Sequence, residues 1–222
     1  MNKLITISII LLSLPILGQK QYLGLKGGKA WTNYYSDGSS GEFDYQTGFS
    51  GGLTYEHEFK NNFHLEVDLL YAQKRFIHDG FTLISGDTDP NGFTVTHFDY
   101  YLESEYLSLP IKGGYSIGNK FQGFLNLGFV QSVLINARTT TIKSGEYGSS
   151  SNRTDQTNRI DLSGIAEIGA SYTIKEQFKL FTTFAYQQSF NPITDVYFED
   201  PNAKHFGMIL SFGVKYGIGE KL

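Results

Sequence analysis

From Thr47 to Tyr71 the chain sorts its side chains by parity, and this period of two constrains the fold more than any other feature of the sequence. Phe63, Leu65, Val67, Leu69 and Tyr71 fall on one face of an extended segment, while His64, Glu66 and Asp68 fall on the other. A helix would scatter such a set around its axis, so the segment reads as a strand with one apolar and one polar face. The segment before it, 47–59, sets Phe49, Leu53, Tyr55 and Phe59 against Ser50, Thr54, Glu56 and Glu58. The pattern recurs at 22–32, 105–116, 121–134, 160–174, 178–190 and 205–218, which makes eight segments in all. In the first of them the Gly27-Gly28 pair predicts a bulge or a bend.

The links between segments alternate in length. Those at 60–62, 117–120 and 175–177 are short, and those at 34–46, 77–102, 136–158 and 191–204 are long and polar. With eight strands both chain ends then fall on the short-turn side, as in barrels that cross an outer membrane with short inner turns and long outer loops. The segments run near or above the roughly 9–11 residues that a spanning strand needs. Aromatic residues gather at strand ends, with Phe59, Phe63, Tyr115, Phe121, Tyr172, Phe178 and Tyr216 on the short-turn side. Tyr71, Phe129, Tyr186, Phe190 and Phe206 lie towards the other side, and the two sets read as interfacial girdles. The expectation is an all-β fold, an eight-stranded antiparallel up-and-down transmembrane β-barrel. A soluble periplasmic lipocalin-like ligand-binding barrel writes the same alternation with its faces exchanged and stands as the alternative.

The N-terminus carries Lys3, an apolar run from Leu4 to Leu17 and a Leu17-Gly18-Gln19 junction, the pattern of an export signal. The expected division is a signal peptide at 1–18 and one barrel domain at 19–222. With no cysteine the chain has no disulfide, no thiolate metal site and no lipidated anchor. A net charge of −4 without a clustered basic face argues against nucleic acid as a partner.

Three stretches carry a resemblance to a known family: Leu23-Gly24-Leu25-Lys26-Gly27-Gly28, Glu105-Tyr106-Leu107-Ser108-Leu109-Pro110-Ile111-Lys112, and Ser211-Phe212-Gly213-Val214-Lys215-Tyr216-Gly217-Ile218. They resemble the PorT-like family of outer-membrane β-barrel proteins. The closing stretch also looks like a barrel-assembly signal, filled by Ser211, Gly213, Tyr216 and Ile218, although the chain ends on Glu220-Lys221-Leu222 rather than on an aromatic residue. The resemblance implies the fold, the bacterial outer membrane and the barrel-assembly machinery as a partner. One branch of the family is associated with protein secretion.

The polar parity collects Lys26, Glu56, Glu58, His64, Glu66, Asp68, Lys112, Asp161, Glu167, Lys179, His205 and Lys215 on the inward face. Carboxylates and histidines together can make a catalytic or metal site. The lumen of an eight-stranded barrel, however, is only wide enough for side chains to fill, so a structural ion-pair network and a closed lumen are expected. Asp87, Asp89 and Asn91, followed by Gly92, match the first half of a calcium loop. The second half fails, because Phe98 stands where the closing glutamate belongs, and the same residues make an ordinary turn. His78, His97 and His205 lie on the long-loop side, where a lipid-modifying enzyme would need serine, histidine and an acid to converge, yet no local pairing stands out. Residues 139–158 read as a polar flexible loop, while Phe81, Phe93, Phe98, Tyr100 and Tyr101 offer aromatic anchors in the longest one. The bland reading of that longest loop is a hairpin extended above the membrane.

The functional expectation is thus a non-enzymatic, monomeric outer-membrane barrel without catalytic residue, cofactor or metal. Outer-membrane lipid surrounds it, and loops 77–102 and 136–158 offer contacts to an extracellular ligand or an envelope protein. An accessory role in protein secretion or envelope assembly is the alternative.

Overall fold

The computed structural model describes residues 20–35, 45–86, 93–143, 145–175, 177–193 and 202–218. The expected signal segment and the Asp87, Asp89, Asn91 loop lie outside them.

Among the described residues nine strands form, because alternating stretches cannot bury one face without pairing laterally: β1 (Lys20–Tyr35), β2 (Gln46–Glu58), β3 (Phe63–Gly86), β4 (Phe93–Gly118), β5 (Phe121–Lys143), β6 (Glu146–Asn152), β7 (Ile160–Ile174), β8 (Phe178–Ser189) and β9 (Lys204–Gly217). Eight of them close into an antiparallel ring, in which β4 pairs with β5, β5 with β7, and β9 with β1. The ninth, β6, pairs with the far end of β5 and stands outside the ring. Closure leaves no open edge in the ring, which is what a sheet in hydrocarbon requires.

The three short connections keep their expected places. Asn61 and Asn62 take positive φ between β2 and β3, where asparagine is the tolerated non-glycine choice. At the β4–β5 turn Gly118 has φ of 114°, and a Cβ there would come within 2.2 Å of the Phe121 carbonyl oxygen, so only glycine fits. Gly27-Gly28 makes no bulge, since the ladders from β1 to both neighbours run through it unbroken. Glycine serves close approach instead, as a Cβ at Gly28 would come within 2.0 Å of the Leu210 carbonyl oxygen.

The apolar parity faces outward on every ring strand. Leu25, Leu53, Leu69, Ile111, Leu127, Ile168, Leu180 and Phe212 are all exposed, while the charged parity is buried inside. A soluble barrel needs the reverse, and the lipocalin-like alternative is overturned by this inversion. All seven aromatic residues assigned to the short-turn girdle are exposed, and some of them pair across neighbouring strands. Phe63 meets Tyr115 at 5.1 Å between ring centroids, and Phe178 meets Tyr216 at 5.0 Å.

Candidate functional site

The lumen holds the residues that the polar parity put there. Lys112 is fully buried and contacts three carboxylates: Glu66, Asp68 at 2.9 Å and Glu167 at 3.0 Å. Lys26 reaches across from β1 to Glu167 at 2.7 Å, and Lys215 links Glu66 at 2.6 Å to Glu56. Lys179 bonds Glu56 at 2.7 Å and Glu58, whose side chain opens towards the short-turn mouth. Four ammonium groups and five carboxylates therefore form one connected network, which is how charges survive removal from water. Aromatic faces complete the packing, with Lys179 over Tyr22 at 4.2 Å and Lys215 over Phe181 at 4.5 Å.

Two members of this interior escape a charge-only reading. Asn126 donates to Glu167 at 2.8 Å, and its carbonyl oxygen lies 2.7 Å from His64 Nε2. Lys74 pairs with Asp161 nearer the outer end, where Ser163 and Ser189 also donate to the carboxylate at 2.9 and 3.0 Å. Sequence reasoning misses Lys74 because the β3 alternation is legible only to Tyr71, whereas the strand runs on to Gly86.

Above this pair the lumen is capped by apolar side chains. Tyr34, Phe76, Ile193 and Ala203 pack together with Leu102 against them, and Tyr106, Leu134 and Ala137 form a neighbouring cluster. Ile193 is held by backbone bonds of 2.8 Å to Ala203 and from Asn158. The link 191–204, expected to be polar, thus contributes two buried apolar residues to the cap. Among the described residues two small voids between cap and ion network measure about 20 and 30 Å³, enough for a water or two and far from a channel. Planar-bilayer recordings of the refolded protein should show no large stable conductance, and a steady open level would contradict the closed lumen.

The outward face changes character on one side of the barrel. Along β3, β4 and β5 the outward residues pass from Leu69, Leu107, Val133 and Ile135 to Tyr71, Gln73, Arg75, Glu103, Glu105 and Asn136. The Tyr71 hydroxyl donates to Glu105 at 2.8 Å, Gln73 donates to Tyr71 at 3.1 Å, and Arg75 Nε donates to Glu103 at 2.8 Å. A register shift between Glu105 and Tyr106 falls at this same level, a bulge at the rim of the barrel.

Beyond the polar belt β3, β4, β5 and β6 continue as a four-stranded antiparallel sheet. All seven residues of β6 are exposed, and among the described residues its second edge has no strand partner. Tyr147 of β6 meets Tyr101 of β4 edge-on at 6.0 Å, and Ile142 is buried at their level. The extended-hairpin reading of 77–102 holds for its described residues. The flexible-loop reading of 139–158 is corrected, for most of it is hairpin. Serine, glycine and asparagine in β6 have low strand propensity, so no alternation announces it.

His205, expected near the outer rim, is buried in the lumen between Phe76 and Tyr106. The β3–β4 ladder sets His78 opposite Tyr100 and His97 opposite Thr82 on the hairpin beyond the ring, and the side chains of His78 and His97 lie outside the described residues. Among the described residues no three His, Cys, Asp or Glu side chains are grouped to hold a metal ion.

The family pattern described as outer membrane protein beta-barrel domain matches residues 19–195. A major outer membrane protein from Thermus thermophilus superposes with a TM-score of 0.55 at 13% identity, over 90% of this chain and 100% of that one. Neisserial surface protein A gives 0.45 at 15% identity, over 90% and 98%. Ail, the attachment invasion locus protein of Yersinia pestis, gives 0.41 at 15% identity, over 89% and 99%. No curated protein matches the chain. The Thermus superposition supports the fold and nothing finer. With the family pattern running from β1 through β8 and the apolar face turned outward on every ring strand, the chain belongs to the outer membrane protein beta-barrel domain family.

Proposed function

We propose that this outer-membrane barrel is a non-enzymatic scaffold that displays the β3–β6 sheet to an extracellular ligand or envelope partner. The observation that carries this reading is the sheet itself. It rises past the polar belt, where lipid no longer demands closure, and it exposes the edge of β6 without the lysine or proline that commonly guards such edges. An exposed edge pairs with an extended segment of a partner through main-chain hydrogen bonds. Tyr101 and Tyr147 add aromatic contact area beside it; the side chains of Phe81 and Phe93 lie outside the described residues.

In the same reading residues 1–18 are removed as the signal peptide, and 19–222 insert as a monomer through the barrel-assembly machinery of the bacterial outer membrane. The PorT-like resemblance fits that route. The test replaces residues 144–153 with a two-residue turn and trims the β3–β4 hairpin to its ring portion. Outer-membrane fractionation and heat-modifiable gel migration should remain those of the full protein, while attachment or envelope phenotypes should match a deletion strain. A trimmed barrel that restores them all would move the role to the barrel body, as a secretion or envelope-assembly accessory.

A further inference from the structure

Among the described residues the lipid-facing surface carries a groove. Where β5, β7 and β8 run side by side, two ladder rows set a small residue between larger ones: Leu127, Ala166 and Tyr186 in one, Phe129, Gly164 and Gln188 in the next. Gly164 and Ala166 floor an open depression of about 410 Å³ between these walls. Phe190 lies against the Gly164 end of the floor. The ring lies so close that a Cβ on Gly164 would come within 2.9 Å of it, and its centroid is 6.5 Å from that of Phe129.

Two hydrogen-bonding side chains, Tyr186 and Gln188, stand in an otherwise apolar lining. The Tyr186 hydroxyl donates to Gln188 Oε1 at 2.6 Å, which fixes the amide and leaves its Nε2 without a protein partner among the described residues. An amide donor facing hydrocarbon is costly unless something on the lipid side accepts from it. Depth identifies the acceptor. Gly164 stands ten residues up β7 from Ile174, roughly 25 Å of rise for a tilted strand and so near the outer limit of the apolar band. Acyl carbonyls of an outer leaflet sit at the limit of the apolar band. The floor is continuous with the outward apolar face that already meets lipid.

We propose that this groove seats one acyl chain of an outer-leaflet lipid, with the Gln188 amide donating to that lipid's acyl carbonyl. Lipid A is the probe, mixed in equimolar amount with the full barrel refolded in detergent and followed by native mass spectrometry. One lipid A per barrel should be retained. Retention should fall about tenfold or more in Gly164→Trp, which fills the groove, and several-fold in Gln188→Leu, which keeps the groove and removes the donor. Both changes face outward, heat-modifiable migration reports folding, and Ala166→Phe is a second filler. Equal retention by filled and open grooves, no retained lipid, phosphatidylethanolamine kept in place of lipid A, or a dimer that buries this face against a second copy would each overturn the proposal.

Discussion

Exchanging Lys112 for methionine should lower the unfolding free energy of the barrel by about 3–5 kcal/mol, the range for breaking a buried ion pair by removing one partner. The ammonium is the common neighbour of Glu66, Asp68 and Glu167, and all four side chains are at most 1% exposed. Methionine keeps the volume and takes one shared cation from three buried carboxylates. Lys26 still reaches Glu167, and Lys215 still reaches Glu66, so the loss should be severe without preventing folding. The measurement is a urea titration of the heat-modifiable folded band in lipid vesicles. Lys120→Met is the reference, because Lys120 is exposed beside the short β4–β5 turn and should shift stability by no more than about 0.5 kcal/mol. Equal midpoints for the two variants would mean that the network does not stabilise the fold.

Ile168→Arg should cost about 2–4 kcal/mol in lipid vesicles, since the side chain projects from the middle of β7 into the apolar band. Ile168 is 56% exposed, so in a water-soluble protein the same change would be close to neutral. The sign and size therefore test the membrane face directly. Ile117→Arg, one residue from the short turn, should cost only about 0–1 kcal/mol, because arginine there reaches the interface. A small and equal effect at both positions would place neither in hydrocarbon.

Parity made the ring and its interior readable from sequence because every ring strand separates lipid from lumen. Glu56, Glu66, Lys112, Glu167 and Lys215 are inward for the same reason that Leu53, Ile111 and Phe212 are outward. Three kinds of residue broke the code. Tyr22, Phe76 and Tyr106 are aromatic yet face inward, lying under lysine ammonium groups or capping the lumen, and a two-letter pattern has no symbol for that. Past Tyr71 and Glu105 both faces of the sheet carry polar residues, so alternation fades although pairing continues. The groove at Gly164 and Ala166 joins β5 to β8 across a third strand, a lateral arrangement that no single segment displays.

The ion network also bears on how the barrel comes together. Its bonds join residues 141, 123, 159 and 149 positions apart, from Lys26 to Glu167, Lys179 to Glu56, Lys215 to Glu56 and Lys215 to Glu66. No hairpin can make any of them alone, so these charges stay hydrated until β1 meets β9, and the reward for ordering arrives all at once. A ladder slipped by one residue would turn a whole row of lysines and glutamates into lipid. The lumen therefore acts as a late checkpoint: a wrongly registered ring cannot latch and stays free to reopen, whereas a correct one latches and resists reopening.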